Sequence, residues 1–119
     1  MNAEEIIKLK KNALYTSLES KDLFGKFFNK SMLHYAVIME VFSKNNFDGI
    51  SYEQLCSNVP KVLGSRSSIQ NLLNEGLDKK IFKKIENNKD KRIKNYFLSD
   101  EFYYMVLDWI KMQKKIYNS

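Results

Sequence analysis

Apolar residues recur at helical spacing from Ala3 to Leu18, where Ile6, Ile7, Leu9, Ala13, Leu14 and Leu18 are interleaved with lysines. Glu4 and Glu5 fall in the first turn, where acids complement the helix dipole, so the pattern predicts an amphipathic helix. Lys21 to Lys30 holds Leu23, Phe24, Phe27 and Phe28 around Gly25, and reads as a shorter helix or an ordered connection. A third helical pattern runs from Ser31 to Ser43 through Leu33, Ala36, Val37, Met39, Val41 and Phe42, ending at the turn-forming Lys44-Asn45-Asn46.

After a short extended piece at Asp48-Gly49-Ile50, the run Ser51-Tyr52-Glu53-Gln54 fits a capping box that opens another helix. That helix is short, because Pro60 disfavours a helical conformation at Val59. Val62-Leu63-Gly64 reads as a tight connection, and Ser65 as the N-cap of a helix with Ile69, Leu72, Leu73 and Leu77 on one face. Gly76, in its last turn, permits close packing or an early stop. Two β-prone segments follow, Lys80 to Ile85 and Ile93 to Leu98, joined by a polar link from Glu86 to Arg92 as in a hairpin. Ser99 or Asp100 caps a last helix with acids at its start and Lys111, Lys114 and Lys115 near its end. The fold class expected is mainly α with a small β-hairpin wing (α+β): a winged helix-turn-helix with extra N- and C-terminal helices. The 119 residues suit one domain, divided into a helical packing segment 1–30, a winged core 31–98 and a C-terminal helix 99–119.

In such an order the second helix of the helix-turn-helix docks in the major groove. Off its apolar face lie Arg66, Ser67, Ser68, Gln70, Asn71 and Asn74, types that hydrogen-bond base edges. The formal net charge of +6 and pI near 9.3 suit a polyanionic partner. Lysine-rich codon usage would raise charge everywhere, yet Lys79 to Lys94 holds eight basic residues and two acids, a net charge equal to that of the whole chain. Within it, Lys89, Lys91, Arg92 and Lys94 are expected on phosphates or in the minor groove. The chain has only two arginines, Arg66 and Arg92, one at each expected contact, where a planar fork outperforms an ammonium group.

With these residues in view, the segment from Met32 to Ser99 resembles the MarR family of bacterial transcription regulators. Ser51-Tyr52-Glu53-Gln54-Leu55 stands where the family often has a Thr/Ser-x-x-Glu-Leu-like start, and Ser65 to Leu77 stands as the recognition helix. Asp90-Lys91-Arg92 matches the family's Asp-x-Arg wing, and Leu98-Ser99 its Leu-Thr helix opening. The resemblance implies sequence-specific binding of double-stranded DNA, with Arg92 a minor-groove contact and Asp90 orienting that arginine or the wing. The family usually places two helices after the wing, whereas 21 residues follow Leu98 here, room for one, closer to the compact SarA-like branch.

In the last helix, Phe102, Met105, Val106, Trp109, Gln113 and Ile116 form one stripe, and Tyr103, Leu107, Ile110 and Tyr117 an adjacent one. So wide an arc suits two partners: its own core and, with the N-terminal helix, a second copy across a twofold axis. A homodimer of that kind would set two reading helices about 34 Å apart, one DNA turn. Burial in its own core alone is the other reading. Tyr15, Phe24, Phe27, Phe28 and Trp109 are expected in the core rather than lining a pocket.

His34 and Cys56 are single and lie in different helices without a recognisable acid partner, so neither is expected to be catalytic. His34 reads as a packed or partly exposed helix residue and Cys56 as a small buried side chain. Redox sensing by Cys56 is the alternative that the resemblance raises. Four zinc ligands, a Walker loop and a Gly-x-Gly-x-x-Gly run are all missing from the sequence, so no metal, cofactor or enzymatic activity is expected. The single cysteine, the acidic start and the lack of a long apolar run make the cytoplasm the expected compartment. The competing functional readings are a winged-helix protein-interaction module and a nonspecific architectural or replication accessory DNA-binding protein.

Overall fold

A computed structural model describes residues 2–19 and 22–118. Among them the elements run α1 (Ala3–Glu19), α2 (Leu23–Phe28), α3 (Met32–Lys44), β1 (Ile50–Ser51), α4 (Tyr52–Asn58), a 3-10 turn (Lys61–Leu63), α5 (Arg66–Asp78), β2 (Phe82–Glu86), β3 (Lys94–Leu98) and α6 (Asp100–Asn118). This is the order expected from the hydrophobic pattern. Lys21, at the start of the segment read as a short helix, lies outside the described residues.

Helix starts are set by short polar side chains that accept amide protons left unpaired in the first turn. Asp22 caps α2 by accepting from Gly25 N at 2.8 Å. Ser51 accepts from Gln54 N at 3.2 Å while Gln54 Oε1 accepts from Ser51 N at 2.9 Å, completing the capping box of α4. Ser65 caps α5 through Ser68 N at 3.1 Å. At α6 it is Ser99, rather than Asp100, whose hydroxyl takes the amide of Phe102 at 3.3 Å.

The sheet has the order β1-β3-β2, antiparallel throughout, with Ile50 opposite Tyr96 and Phe82 opposite Leu98. Two asparagines fasten the loop before β1 to the central strand. Asn95 Nδ2 donates to Asp48 O at 2.8 Å, and Asn45 Oδ1 accepts from Leu98 N at 2.7 Å. Beneath the sheet, Val37, Ile38 and Val41 of α3 pack with Leu55, Leu73, Ile81, Leu98 and Val106 in one buried cluster. Phe28 joins α6 to that core, its ring 5.1 Å from Trp109 and 4.9 Å from Tyr35.

Of the five aromatic residues expected in the core, Phe27 and Phe28 are fully buried there. Phe24 and Trp109 are partly buried against that core and also line an apolar cavity of about 700 Å³ between α1, α2 and α6. Tyr15 is exposed. From α1 the cavity is lined by Leu9, Asn12, Ala13 and Thr16, while Ile7, Leu14 and Leu18 of the same helix are 55%, 51% and 56% exposed.

Where α5 passes into the wing, Lys80 takes the left-handed conformation (φ 60°) and Ile81 N donates to Gly76 O at 2.8 Å. The turn lays the Phe82 ring on the helix backbone, so that a Cβ at Gly76 would sit 2.2 Å from Phe82 Cδ2. The glycine therefore serves close packing, not an early stop.

The back of α5 is held by Glu75. Its carboxylate accepts from Lys30 Nζ at 2.7 Å and from His34 Nε2 at 3.1 Å, with Lys79 Nζ at 3.9 Å. His34 thus has an acid partner, contrary to the sequence expectation. Ser31 Oγ lies 2.7 Å from His34 Nδ1, which suits the tautomer carrying its proton on Nε2. Burial lowers the His34 pKa below the ordinary 6.5, an effect that Glu75 only partly offsets. The neutral ring consequently stabilises the fold above that ordinary value, and the contribution is lost as pH falls through the lowered folded value. Glu75, held below its ordinary 4.5 chiefly by Lys30, adds a separate loss at more acidic pH.

Two outcomes are expected in thermal melts. Gly76→Ala should destabilise by about 1–3 kcal/mol, overpacking against Phe82 outweighing the roughly 1 kcal/mol gain in helix propensity; a rise in melting temperature would contradict this packing. The wild type should lose stability as pH falls below about 6.5 and through the lowered His34 value, and His34→Gln should flatten that loss, whereas an unchanged acid slope would acquit His34.

Candidate nucleic-acid interface

On α5, Ser67, Asn71 and Asn74 follow one another at helical spacing and all three are exposed, forming a polar stripe opposite the buried Ile69, Leu72 and Leu73. Gln70 is half-buried beside them; its Nε2 donates to Asn74 Oδ1 at 3.1 Å, and its amide lies against the Tyr96 hydroxyl. That contact carries the helix onto β3 and so couples stripe to wing. Ser68 is half-buried, its hydroxyl 3.0 Å from Ser65 Oγ, and the exposed Ser67 hydroxyl lies 3.1 Å from the same atom.

Arg66 stands at the start of α5. Its Nη2 donates to Glu53 Oε1 at 2.6 Å, its guanidinium lies 5.2 Å over the Tyr52 ring, and Tyr52 Oη donates to the Arg66 carbonyl at 2.9 Å. Glu53 beside it raises the arginine's pKa further, so the charge is permanent. Glu53 escaped the sequence reading. It is thirteen positions upstream on a different helix, and the one available signal was an acid next to a capping box.

The wing is folded by its own polar groups. Asn87 N donates to Ile93 O at 2.8 Å, closing the loop between β2 and β3, and Asn87 Oδ1 accepts from Lys89 N at 2.8 Å. Asp90 Oδ1 takes both the amide (3.0 Å) and Nε (3.1 Å) of Arg92, while Oδ2 takes Nη2 at 3.0 Å. These bonds hold Asp90 below the usual carboxylate range and the Arg92 pKa above its usual value. The locked Arg92 side chain nevertheless stays 90% exposed. Lys89 and Lys91 are exposed at the same tip. Lys94 is half-buried and paired with Glu86 at 2.6 Å, in the last rung of the ladder before the 87–93 loop.

Cys56 is half-buried beside Tyr52, less enclosed than its small apolar character suggested. Among the described residues no group of three or more His, Cys, Asp or Glu could hold a metal ion, and no helix is long and apolar enough to cross a membrane.

No protein-family model and no curated protein matches the chain. Solved structures do. S. aureus MepR bound to ethidium bromide superposes with a TM-score of 0.68 at 14% identity, covering 98% of this chain and 78% of that one. The S. aureus MepR–DNA complex gives 0.61 at 13% identity over 98% and 82% of the two chains. The transcriptional regulator BldR from Sulfolobus solfataricus gives 0.54 at 18% identity over 99% and 84%. Those proteins are MarR-type regulators, and at such low identity what they share with this chain is architecture. The chain is thus an α+β protein with the MarR-type winged-helix fold.

Proposed function

We propose that the protein is a transcription regulator that binds double-stranded DNA sequence-specifically, α5 reading the major groove while the wing tip grips phosphates or the minor groove. The observation that carries this reading is Arg92, held by three bonds to Asp90 yet almost wholly exposed at the tip of a lysine-rich loop. A cation aligned before binding loses little side-chain freedom on contact. The likeness to a MepR–DNA complex supports the same reading.

Roles divide by chemistry. Ser67, Asn71 and Asn74 offer neutral donors and acceptors to base edges, with Arg66 at the helix start and Gln70 bracing Asn74. Ser68 supports the helix start through the cap. Lys89, Lys91 and Arg92 supply charge without base discrimination, and Lys94 steadies the wing through Glu86. The work belongs in the cytoplasm, and none of it calls for catalysis.

The active form in this proposal is a homodimer built by α1 and α6. Support comes from the apolar residues that α1 leaves uncovered, Ile7, Leu14 and Leu18, together with the half-exposed Met112 and Tyr117 on α6. A second copy would cover them and space two reading helices for successive major grooves.

Affinity measurements on a preferred and a scrambled duplex test the division of labour. Asn71→Ala should cost about 1–3 kcal/mol on the preferred duplex and little on the scrambled one, while Arg92→Ala weakens both and lowers the salt slope by about one. Equal effects of both variants on every duplex would refute it. For the dimer, light scattering at micromolar concentration should give twice the chain mass, and Leu14→Lys should give the single-chain mass; a monomeric wild type would remove this part of the proposal.

A further inference from the structure

We infer that Arg66 and Glu53 read one G·C base pair as a unit, and that Glu53 is the specificity-determining member. The inference rests on the duplex-reading role proposed for α5.

The pair has no evident task inside the fold. Both side chains are open to solvent, at 59% and 72% exposure, and an exposed ion pair contributes little to stability. Its geometry is nonetheless tightly defined. The guanidinium carbon lies 5.2 Å over the Tyr52 ring, the Tyr52 hydroxyl donates to the backbone carbonyl of Arg66 at 2.9 Å, and Glu53 takes Nη2 at 2.6 Å. Tyr52 and Glu53 open α4 and Arg66 opens α5, so two helix starts converge on one charged pair. That end of the second helix is the one that meets base edges in this class of fold.

Glu53, 72% exposed and bonded to the arginine through Oε1 alone, is an unfavourable neighbour for a phosphate, unlike Asp90, which is 33% exposed and has both oxygens taken by Arg92. Phosphate oxygens only accept hydrogen bonds, and a carboxylate carried beside the arginine meets them with like charge. A base pair in the major groove is different. Read across a G·C pair from the guanine, the groove presents two acceptors, N7 and O6, and then a donor, the cytosine N4 amino group. An arginine fork followed by a carboxylate is the complement of that series. An A·T pair presents acceptor, donor, acceptor, so the fork meets an amino group and the carboxylate meets the thymine O4. Glu53 therefore turns a cation that would accept any phosphate into a reader of one base-pair type, penalising both A·T and backbone.

The test is selection from a random duplex library with wild type, Glu53→Gln and Arg66→Ala, each checked for an unchanged melt. The wild type should enrich a site with one invariant G·C position, and both variants should lose preference at that same position. Glu53→Gln should also bind a scrambled duplex about threefold to tenfold more tightly at low salt, because a carboxylate has left the phosphate surface. If Glu53→Gln keeps the G·C preference that Arg66→Ala loses, or both keep it, the inference is overturned. A wild type that binds duplexes without enriching any site overturns it too, leaving only nonspecific duplex binding. Absence of binding to every duplex would bring down the proposed function itself.

Discussion

The Phe82 ring lies against the backbone of α5 at Gly76, and the angle between α5 and the wing depends on that contact. Only glycine admits it, since a Cβ would overlap the ring. The ring edge meets Phe27 with centroids 5.9 Å apart, Phe27 meets the His34 ring at 4.8 Å, and His34 reaches Glu75, the residue before Gly76. The chain of contacts returns to its starting point and clamps the end of α5 between α3 and the sheet. Lys80 is held in the left-handed region to make the turn, at a cost of about 1–2 kcal/mol. The neighbouring bond from Ile81 to Gly76 and the buried Phe82 offset it.

Charge on this framework is arranged rather than merely accumulated. In the basic segment, Lys79, Lys83, Arg92 and Lys94 each face an acid, Glu75, Asp100, Asp90 and Glu86 respectively. Pairs so exposed add little to folding and weaken further in salt, so what they supply is direction. Asp90 aims Arg92, Glu86 pairs with Lys94 where the strands enter the loop, and Lys89 and Lys91 extend the positive tip. A polyanion can then displace solvent and counterions from a surface whose donors already point outward.

Most of the fold was legible because its signals are local. Ser51 with Gln54 and Ser65 with Ser68 are contacts three residues apart, and Ile69, Leu72 and Leu73 mark the buried face of α5 by spacing alone. The candidate site was legible in part for the same reason: Asp90 and Arg92 are two residues apart, so their lock is written in the motif. What escaped notice joins distant elements. The partnership of His34 and Glu75 spans forty-one positions and that of Arg66 and Glu53 thirteen, and neither follows from any periodicity. The exposure of apolar residues on α1 was hidden as well, because an apolar stripe has the same spacing whether it meets its own core or a surface outside it.

The central claim is that α5 and the wing together engage duplex DNA, and fluorescence anisotropy of a labelled duplex titrated with the full chain across a salt series tests it most directly. The account predicts tight binding at about 50 mM salt that weakens by orders of magnitude toward about 200 mM, as several phosphate contacts would require. An affinity independent of salt, or no binding at low salt, would contradict it.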